Sequence, residues 1–343
     1  MKILQIVTLS SLGGAQAVVA NLANKLSEEN EVIVVAGEGD GKIWNLLKDK
    51  VIKIHLKELK RTLSPISDLL TLMSFFRIYK KFKPDIIHLH SSKAGILGRV
   101  VLPRKKIIYT VHGFDSIRLA YRKYLQIEKL FQYRCKAIVS VSEYDKRNLL
   151  KEGINNNVVC VYNGIEKPQR KQIELKCLNE YNKNILCIAR LSPPKNHILF
   201  FKIASLLPKY AFFWVGNKNA YINEKPTNVF FLGSQFNAGA YNEFADLFVL
   251  PSDYEGLPIV IIEAMSFGKP VVASDVGGIS EIVVDDENGY TVENIPELFA
   301  NKIKYILENE DVYKAFSKNS LEKYNKELTV EKMIDAYLEI YKS

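Results

Sequence analysis

Residues 250–284 read LPSDYEGLPIVIIEAMSFGKPVVASDVGGISEIVV. A short apolar strand ends at Leu250, and a polar, glycine-containing turn runs from Pro251 to Gly256. A helix begins near Pro258, since a proline in the first turn of a helix costs nothing. Glu255 falls in the turn and Glu263 inside the helix, in the spacing Glu-x7-Glu. The backbone N–H groups of Gly256, Leu257, Ile259 and Val260 then face whatever lies above the helix N-terminus, which favours an anion such as a diphosphate. Two acids beside an anion site suit a sugar nucleotide, because carboxylates accept hydrogen bonds from hydroxyls.

Working outward, short apolar strands alternate with amphipathic helices twice along the chain. The first half offers strands at 2–8, 31–37, 85–90, 106–112 and 137–142, with helices such as 15–27 and 65–82 between them. The second half offers strands at 184–190, 211–216, 229–233, 247–252 and 270–274, with helices near 196–207, 258–267, 278–283 and 296–308. Such alternation predicts parallel sheets covered on both faces, in two Rossmann-like α/β domains with ligands at the carboxyl ends of the strands. A length of 343 residues also suits two domains. The break lies near 164–183, a polar stretch with a proline, and TVEKMIDAYLEIYKS at the end reads as an amphipathic helix.

Apolar residues make up 48% and charged residues 25%, as in an ordinary globular protein, and no apolar run reaches the length of a membrane span. Cys135, Cys160, Cys177 and Cys187 show no C-x-x-C spacing, which suits a reduced cytosolic setting. The N-terminal ILQIVTLSSL followed by Ala15-Gln16-Ala17 imitates a leader peptide, but Gln5 interrupts it and it flows into a helix, so it reads as strand, glycine turn and helix. Residues 1–165 carry 27 Lys and Arg against 14 Asp and Glu, a balance of +13; residues 166–343 carry 20 against 24, a balance of −4. That asymmetry points to an anionic partner for the first half. No recognised nucleic-acid-binding motif accompanies it.

Individual residues at strand ends carry the chemistry. Gly13 and Gly14 follow the first strand and precede a helix; they make either a loop that approaches a ligand or a tight turn. The full G-x-G-x-x-G fingerprint is absent, which argues against a nicotinamide enzyme. Arg190 and Lys195 lie at a strand end and in the loop after it, stiffened by Pro193 and Pro194, where two cations can neutralise a leaving diphosphate. His88 and His90 share a strand face and superficially suggest metal ligands, but no third ligand is near them in sequence.

Seven ordered motifs span nearly the whole chain: MKILQIVTLSSLGGAQ at the start, YTVHG at 109–113, VSVSE at 139–143, VYNGIE at 161–166, IARLSPPKNH at 188–197, FLGS at 231–234 and GGISEIV at 277–283. With the segment 250–284 they resemble the retaining glycosyltransferases of family 4, the glycogen-synthase-like and bacterial-polysaccharide type. The resemblance implies a GT-B fold, two Rossmann-like domains whose parallel sheets face a central cleft. The expected domains are an acceptor-binding unit at 1–165, a sugar-nucleotide-binding unit at 166–325, and a helix at 326–343 that packs back on the first. It further implies that Arg190 and Lys195 contact the pyrophosphate, that Glu263 binds the ribose, and that Glu255 contacts the transferred sugar. Gly13, Gly14, Gly256, Leu257, Pro258 and Ile259 complete the expected donor site. His112 is expected beside the donor sugar, so His112, Glu255, Arg190 and Lys195 form the expected catalytic set.

Ser91, Ser92 and Lys93, in a polar loop at a strand end, are similar to loops that meet a lipid-linked acceptor. No D-x-D motif exists in the chain, and the expectation is a metal-free, cofactor-free reaction. The expected reaction moves a hexose or N-acetylhexosamine from a nucleotide sugar to a saccharide or lipid-diphosphate-linked acceptor in capsule, O-antigen or exopolysaccharide assembly. UDP is the default nucleotide, with GDP left open. Alternatives are a sugar-nucleotide 2-epimerase of the same fold and a transferase with a soluble acceptor. The cations Arg99, Arg104, Lys105, Lys106, Arg118, Arg122 and Lys123, interleaved with apolar residues, are expected to dock on an anionic membrane, from the cytoplasmic side.

Overall fold

The computed structural model describes residues 1–169, 181–216 and 224–343; Cys177 and most of the polar stretch 164–183 lie outside the described residues. The chain divides into two compact units, Met1–Gly164 with Val330–Ser343, and Ile165–Thr329.

In the first unit the order is β1 (Lys2–Val7), α1 (Gly14–Leu26), β2 (Glu31–Ala36), β3 (Ile52–His55), α2 (Pro65–Phe82), β4 (Ile86–His90), α3 (Ser92–Val101), β5 (Ile107–Val111), α4 (Leu125–Phe131), β6 (Ala137–Ser140), α5 (Glu143–Lys151) and β7 (Val158–Cys160). The strands form one parallel sheet in the order β3-β2-β1-β4-β5-β6-β7. β4 and β5 are buried at every position because helices cover both faces of the sheet.

The second unit runs β8 (Asn184–Ile188), α6 (His197–Leu206), β9 (Ala211–Val215), β10 (Val229–Phe231), β11 (Leu247–Leu250), α7 (Ile259–Ser266), β12 (Val271–Ser274), α8 (Ile279–Ile282), β13 (Gly289–Val292), α9 (Pro296–Glu308) and α10 (Glu310–Glu327). Its parallel sheet has the order β10-β9-β8-β11-β12-β13. In each sheet the strand order reverses beside the unit's first strand, between β1 and β4 and between β8 and β11. Loops leaving such a pair of strands diverge to opposite faces and open a crevice at the strands' carboxyl ends.

The chain then ends in α11 (Val330–Lys342), which belongs to the first unit. Its buried Tyr337 hydroxyl lies 3.0 Å from Thr110 Oγ1, its Tyr341 hydroxyl lies 2.7 Å from His88 Nδ1, and Lys136 Nζ donates to the Tyr341 carbonyl at 3.3 Å.

β3, β7 and β13 are strands that the sequence pattern does not announce. Each is a sheet edge. Edge strands are often short: these three are only three or four residues long, and in β3 three of four residues are exposed.

Candidate active site

In the second unit the reversal between β8 and β11 brings together two loops that are distant in sequence. Arg190 and Lys195 leave β8, and Pro251 to Pro258 leave β11. Backbone bonds stitch the loops together: Asn196 N to Pro251 O at 3.1 Å, and Asp253 N to Pro194 O at 3.0 Å. Asn196 Nδ2 also donates to Asp253 Oδ1 at 3.0 Å, while Asn196 Oδ1 caps α6 by accepting from Leu199 N at 2.9 Å. A buried polar ring holds the base of the second loop. Ser252 N donates to Ser274 Oγ, Ser274 Oγ to Asn294 Oδ1, and Asn294 Nδ2 to the Ser252 carbonyl, at 2.8, 2.6 and 3.0 Å.

Within this frame Lys195 and Glu255, 60 residues apart, form a direct ion pair with both side chains largely buried. Arg190 is exposed and makes no ion pair or side-chain hydrogen bond among the described residues. Gly277 adopts φ +63°, and a Cβ there would lie 2.2 Å from the Glu255 carbonyl oxygen. Only glycine therefore lets the α8 loop pack under the Glu255–Gly256 turn, where Gly278 N donates to Gly256 O at 2.9 Å.

Pro258 caps α7, and the helix begins at Ile259 without a capping side chain. Among the described residues, the amides of Gly256, Ile259 and Val260 have no acceptor, as expected where a helix starts without a side-chain cap. Leu257 is buried. Glu263 sits one turn further on with its carboxyl against Gly239, where a Cβ would come within 2.9 Å of Glu263 Cδ. Burial pushes the Glu263 carboxyl up from 4.5 to about 7. The unliganded fold should therefore lose stability as pH rises from 4.5 through 7, because the folded state holds this proton more tightly than the unfolded chain.

The first unit holds the other candidates. Gly13 precedes α1 in extended conformation, and a Cβ on Gly14 would meet nothing within 4 Å among the described residues. His112 follows β5, and its Nε2 lies 3.0 Å from Nδ1 of the fully buried His90. Burial lowers His112 to about 4, so this imidazole is neutral at pH 7. Burial, aided by the neighbouring imidazoles, holds His90 well below its usual range as well. His88 is committed on both nitrogens, to Tyr341 and to Thr110 Oγ1 at 2.7 Å each. Among the described residues no group of three or more His, Cys, Asp or Glu is placed to hold a metal ion.

Ser91, Ser92 and Lys93 are engaged inside the unit. Ser91 Oγ lies 2.6 Å from Thr8 Oγ1 and ties the end of β4 to the end of β1. Ser92 bonds to Tyr109, and Lys93 Nζ donates to Asp68 Oδ2 at 2.7 Å and to the Thr62 carbonyl at 3.1 Å.

Of the cations from Arg99 to Lys123, Arg99 is not at the surface, whereas Arg104, Lys105, Arg122 and Lys123 are exposed. Arg99 is fully buried, paired with Glu128, and its guanidinium carbon sits 4.2 Å from the centre of the Tyr109 ring. Arg118 Nε donates to Asp115 Oδ1 at 2.8 Å, and Arg122 pairs with Glu152 at 3.1 Å. Two features escaped the sequence: His90 as the partner of His112, and the Ser252–Ser274–Asn294 ring. The H-x-H spacing in β4 was the one available signal for the first; the second depends on the meeting of three strand ends.

Residues 12–167 match the family described as Glycosyltransferase Family 4, and residues 166–323 match Glycosyl transferases group 1. The UDP-Gal:alpha-D-GlcNAc-diphosphoundecaprenol alpha-1,3-galactosyltransferase of Escherichia coli is 28% identical, over 99% of this chain and 96% of its own length. The O-antigen biosynthesis glycosyltransferase WbnH of Escherichia coli is 29% identical, over 98% of this chain and 97% of its own. Anabaena HepE, solved in complex with UDP and glucose, shares the fold with a TM-score of 0.83 at 21% identity, covering 100% of both chains. With the two families together spanning residues 12–323, this GT-B chain belongs to the glycosyltransferases, a Family 4 domain followed by a group 1 domain.

Proposed function

We propose that the protein is a retaining glycosyltransferase that moves a hexose or N-acetylhexosamine from UDP to a lipid-diphosphate-linked saccharide in bacterial surface-polysaccharide assembly, at the inner face of the cell membrane. The observation that carries the proposal is the gathering of Arg190, the Lys195–Glu255 pair, the open amides before and within the first turn of α7, and Glu263 at one sheet reversal. The similarity along nearly full length to a galactosyltransferase acting on a diphosphoundecaprenol-linked sugar supports the acceptor class and the membrane setting.

In the proposed reaction the anomeric C–O bond to the diphosphate breaks, and its electron pair goes to the phosphate oxygen. Arg190, Lys195 and the amides of Gly256 and Ile259 stabilise that charge. The acceptor hydroxyl oxygen bonds to the anomeric carbon on the same face, and its proton passes to the leaving phosphate. Glu263 orients the ribose and Glu255 the transferred sugar. His112, on the first unit, serves as a neutral hydrogen-bonding group, because burial holds it uncharged.

A thermal-shift screen of UDP-, GDP-, ADP- and dTDP-sugars tests the donor, since a ligand at 100 times its Kd stabilises the fold by about 2.7 kcal/mol. Transfer to a synthetic diphosphate-linked N-acetylglucosamine, with the anomeric configuration read by NMR, tests acceptor and stereochemistry. An inverted product, or stabilisation by a nucleotide other than UDP alone, would overturn the corresponding part.

The metal-free reading predicts full activity in excess EDTA, with protein cations supplying the positive charge that an ion would otherwise bring. Loss of activity restored by Mg²⁺ or Mn²⁺ would refute it.

The Glu263 assignment predicts a pH dependence of binding. The carboxylate accepts from ribose hydroxyls, and the protonated form accepts less well. UDP affinity should therefore rise as pH climbs through about 7 and then level off. Glu263→Gln should bind UDP about 1.5–3 kcal/mol more weakly above that pH, and should lose this pH step. The terminal phosphate of UDP titrates nearby, and subtracting the variant's calorimetric profile from the parent's removes it. Equal affinity in both proteins at high pH would sink the ribose role.

A further inference from the structure

Helix α2 is apolar on two opposite faces. Its inner face buries Thr71, Phe75 and Ile78 against the first unit. At 100° per residue, Ile66, Leu69, Leu70, Met73 and Phe76 share the outer face. They stand in solvent, from 44% exposed at Met73 to 77% at Ile66, and the exposed Leu63 extends the stripe. An apolar patch of this extent, on the order of several hundred Å², marks an interaction surface.

The helix is fastened so that the patch is presented rigidly. Lys93 pairs with Asp68, Ser74 Oγ bonds to Glu58, and Thr71 Oγ1 donates to the Ser67 carbonyl at 2.8 Å. Charge surrounds the stripe with one sign. Residues 57–83 contain seven Lys and Arg against two acids, Glu58 and Asp68, and both acids are engaged by the bonds just named. Lys60 and Arg61 precede the stripe, and Arg77, Lys80 and Lys81 continue the outer face beyond it; all five are exposed. Lys80 lies over the Phe76 ring, 5.4 Å from its centre.

Resting on the reading above that the enzyme works at a membrane, we infer that the outer face of α2 is the membrane-docking surface, with the stripe from Leu63 to Phe76 entering the headgroup–acyl boundary of an anionic bilayer and the flanking cations meeting lipid phosphates. An apolar face bordered by cations fits that interface. A dimer pairing this face with itself would bring two strongly basic surfaces together, which opposes a second copy as the occupant.

Flotation with vesicles of phosphatidylcholine containing about one third phosphatidylglycerol tests the inference, at low salt where the Debye length exceeds about 10 Å. The parent should bind and should lose binding steeply as salt rises. Leu69→Glu/Met73→Glu should lower the partition coefficient by at least roughly tenfold, since it places charge in the apolar stripe. Arg122→Gln/Lys123→Gln changes net charge equally and should bind almost as the parent does. UDP affinity and thermal stability should match in all three proteins. Phe76→Trp should show a blue-shifted emission on these vesicles.

Vesicle binding by the parent that Leu69→Glu/Met73→Glu does not reduce, or that the Arg122/Lys123 control reduces as much, would overturn the α2 assignment and leave the membrane reading standing. No binding by the parent at low salt would overturn both. A parent dimer that Leu69→Glu/Met73→Glu splits would assign the face to a second copy.

Discussion

Lys195→Ala should lower kcat/KM by roughly 100- to 1000-fold in an enzyme that remains folded. Removing a cation that meets developing negative charge costs about 2–4 kcal/mol of transition-state stabilisation. Lys195 should stand at the upper end of that range, and Arg190→Ala lower, because the two are held differently. Arg190 is exposed and makes no ion pair among the described residues, so its loss removes one contact. Lys195 is paired with Glu255, and both are largely buried. Its loss removes a contact to the diphosphate and also leaves an uncompensated carboxylate beside the site where that diphosphate is proposed to bind. Lys195→Ala/Glu255→Gln should therefore recover part of the UDP affinity lost in Lys195→Ala, although turnover stays low because Glu255 no longer holds the sugar. Neighbouring charges couple in this way, and the double-mutant cycle measures the coupling. Calorimetry with UDP and steady-state rates with the full donor separate the two effects. Additive losses would mean that the Lys195–Glu255 pair has no bearing on the diphosphate.

Much of this was readable in the chain, for a physical reason. Buried parallel strands are continuous apolar runs, so β1, β2, β4, β5, β6 and the core of the second sheet stand out. The glycine and proline turns that follow them mark where loops leave. The proposed donor residues other than Glu263 lie on those loops or at the helix starts that follow them, where the sequence pattern singles them out. What stayed hidden is what depends on partners far apart in sequence. Glu255 pairs with Lys195 across 60 residues, and His112 with His90 across 22. Helix α2 was recognisable as a helix over 65–82, but LLTLMSFF is apolar on every face, so periodicity alone cannot say which face the sheet covers. The same limit explains why Arg99 was expected at the surface. A charged residue on a helix reads as solvated by default, and only the fold brings Glu128 to Arg99.

Arg99→Ala is the structural counterpart, expected to destabilise the first unit by about 3–5 kcal/mol, the cost of leaving a buried charge without its partner. The Arg99 side chain is wholly enclosed, with Nε donating to the Gly95 carbonyl at 2.9 Å and a terminal nitrogen bonded to Glu128. Tyr109 completes the cluster, its hydroxyl donating to the other Glu128 oxygen at 3.2 Å and its ring lying against the guanidinium. A lone Glu128 side chain in that setting is a buried polar group without its partner, and its desolvation cost loosens the packing of α3 and α4 on β5. Removing both charges while keeping volume is a different experiment. Arg99→Met/Glu128→Leu should recover most of the loss, because well-packed apolar groups replace buried ion pairs at little net cost. UDP binding in the folded fraction should be unchanged in both variants, since the pair belongs to the first unit's core and the nucleotide is assigned to the second. Urea denaturation of the parent, the single variant and the double variant decides. A single variant as stable as the parent, or a double variant no better than the single, would show that the Arg99–Glu128 pair does not hold this core.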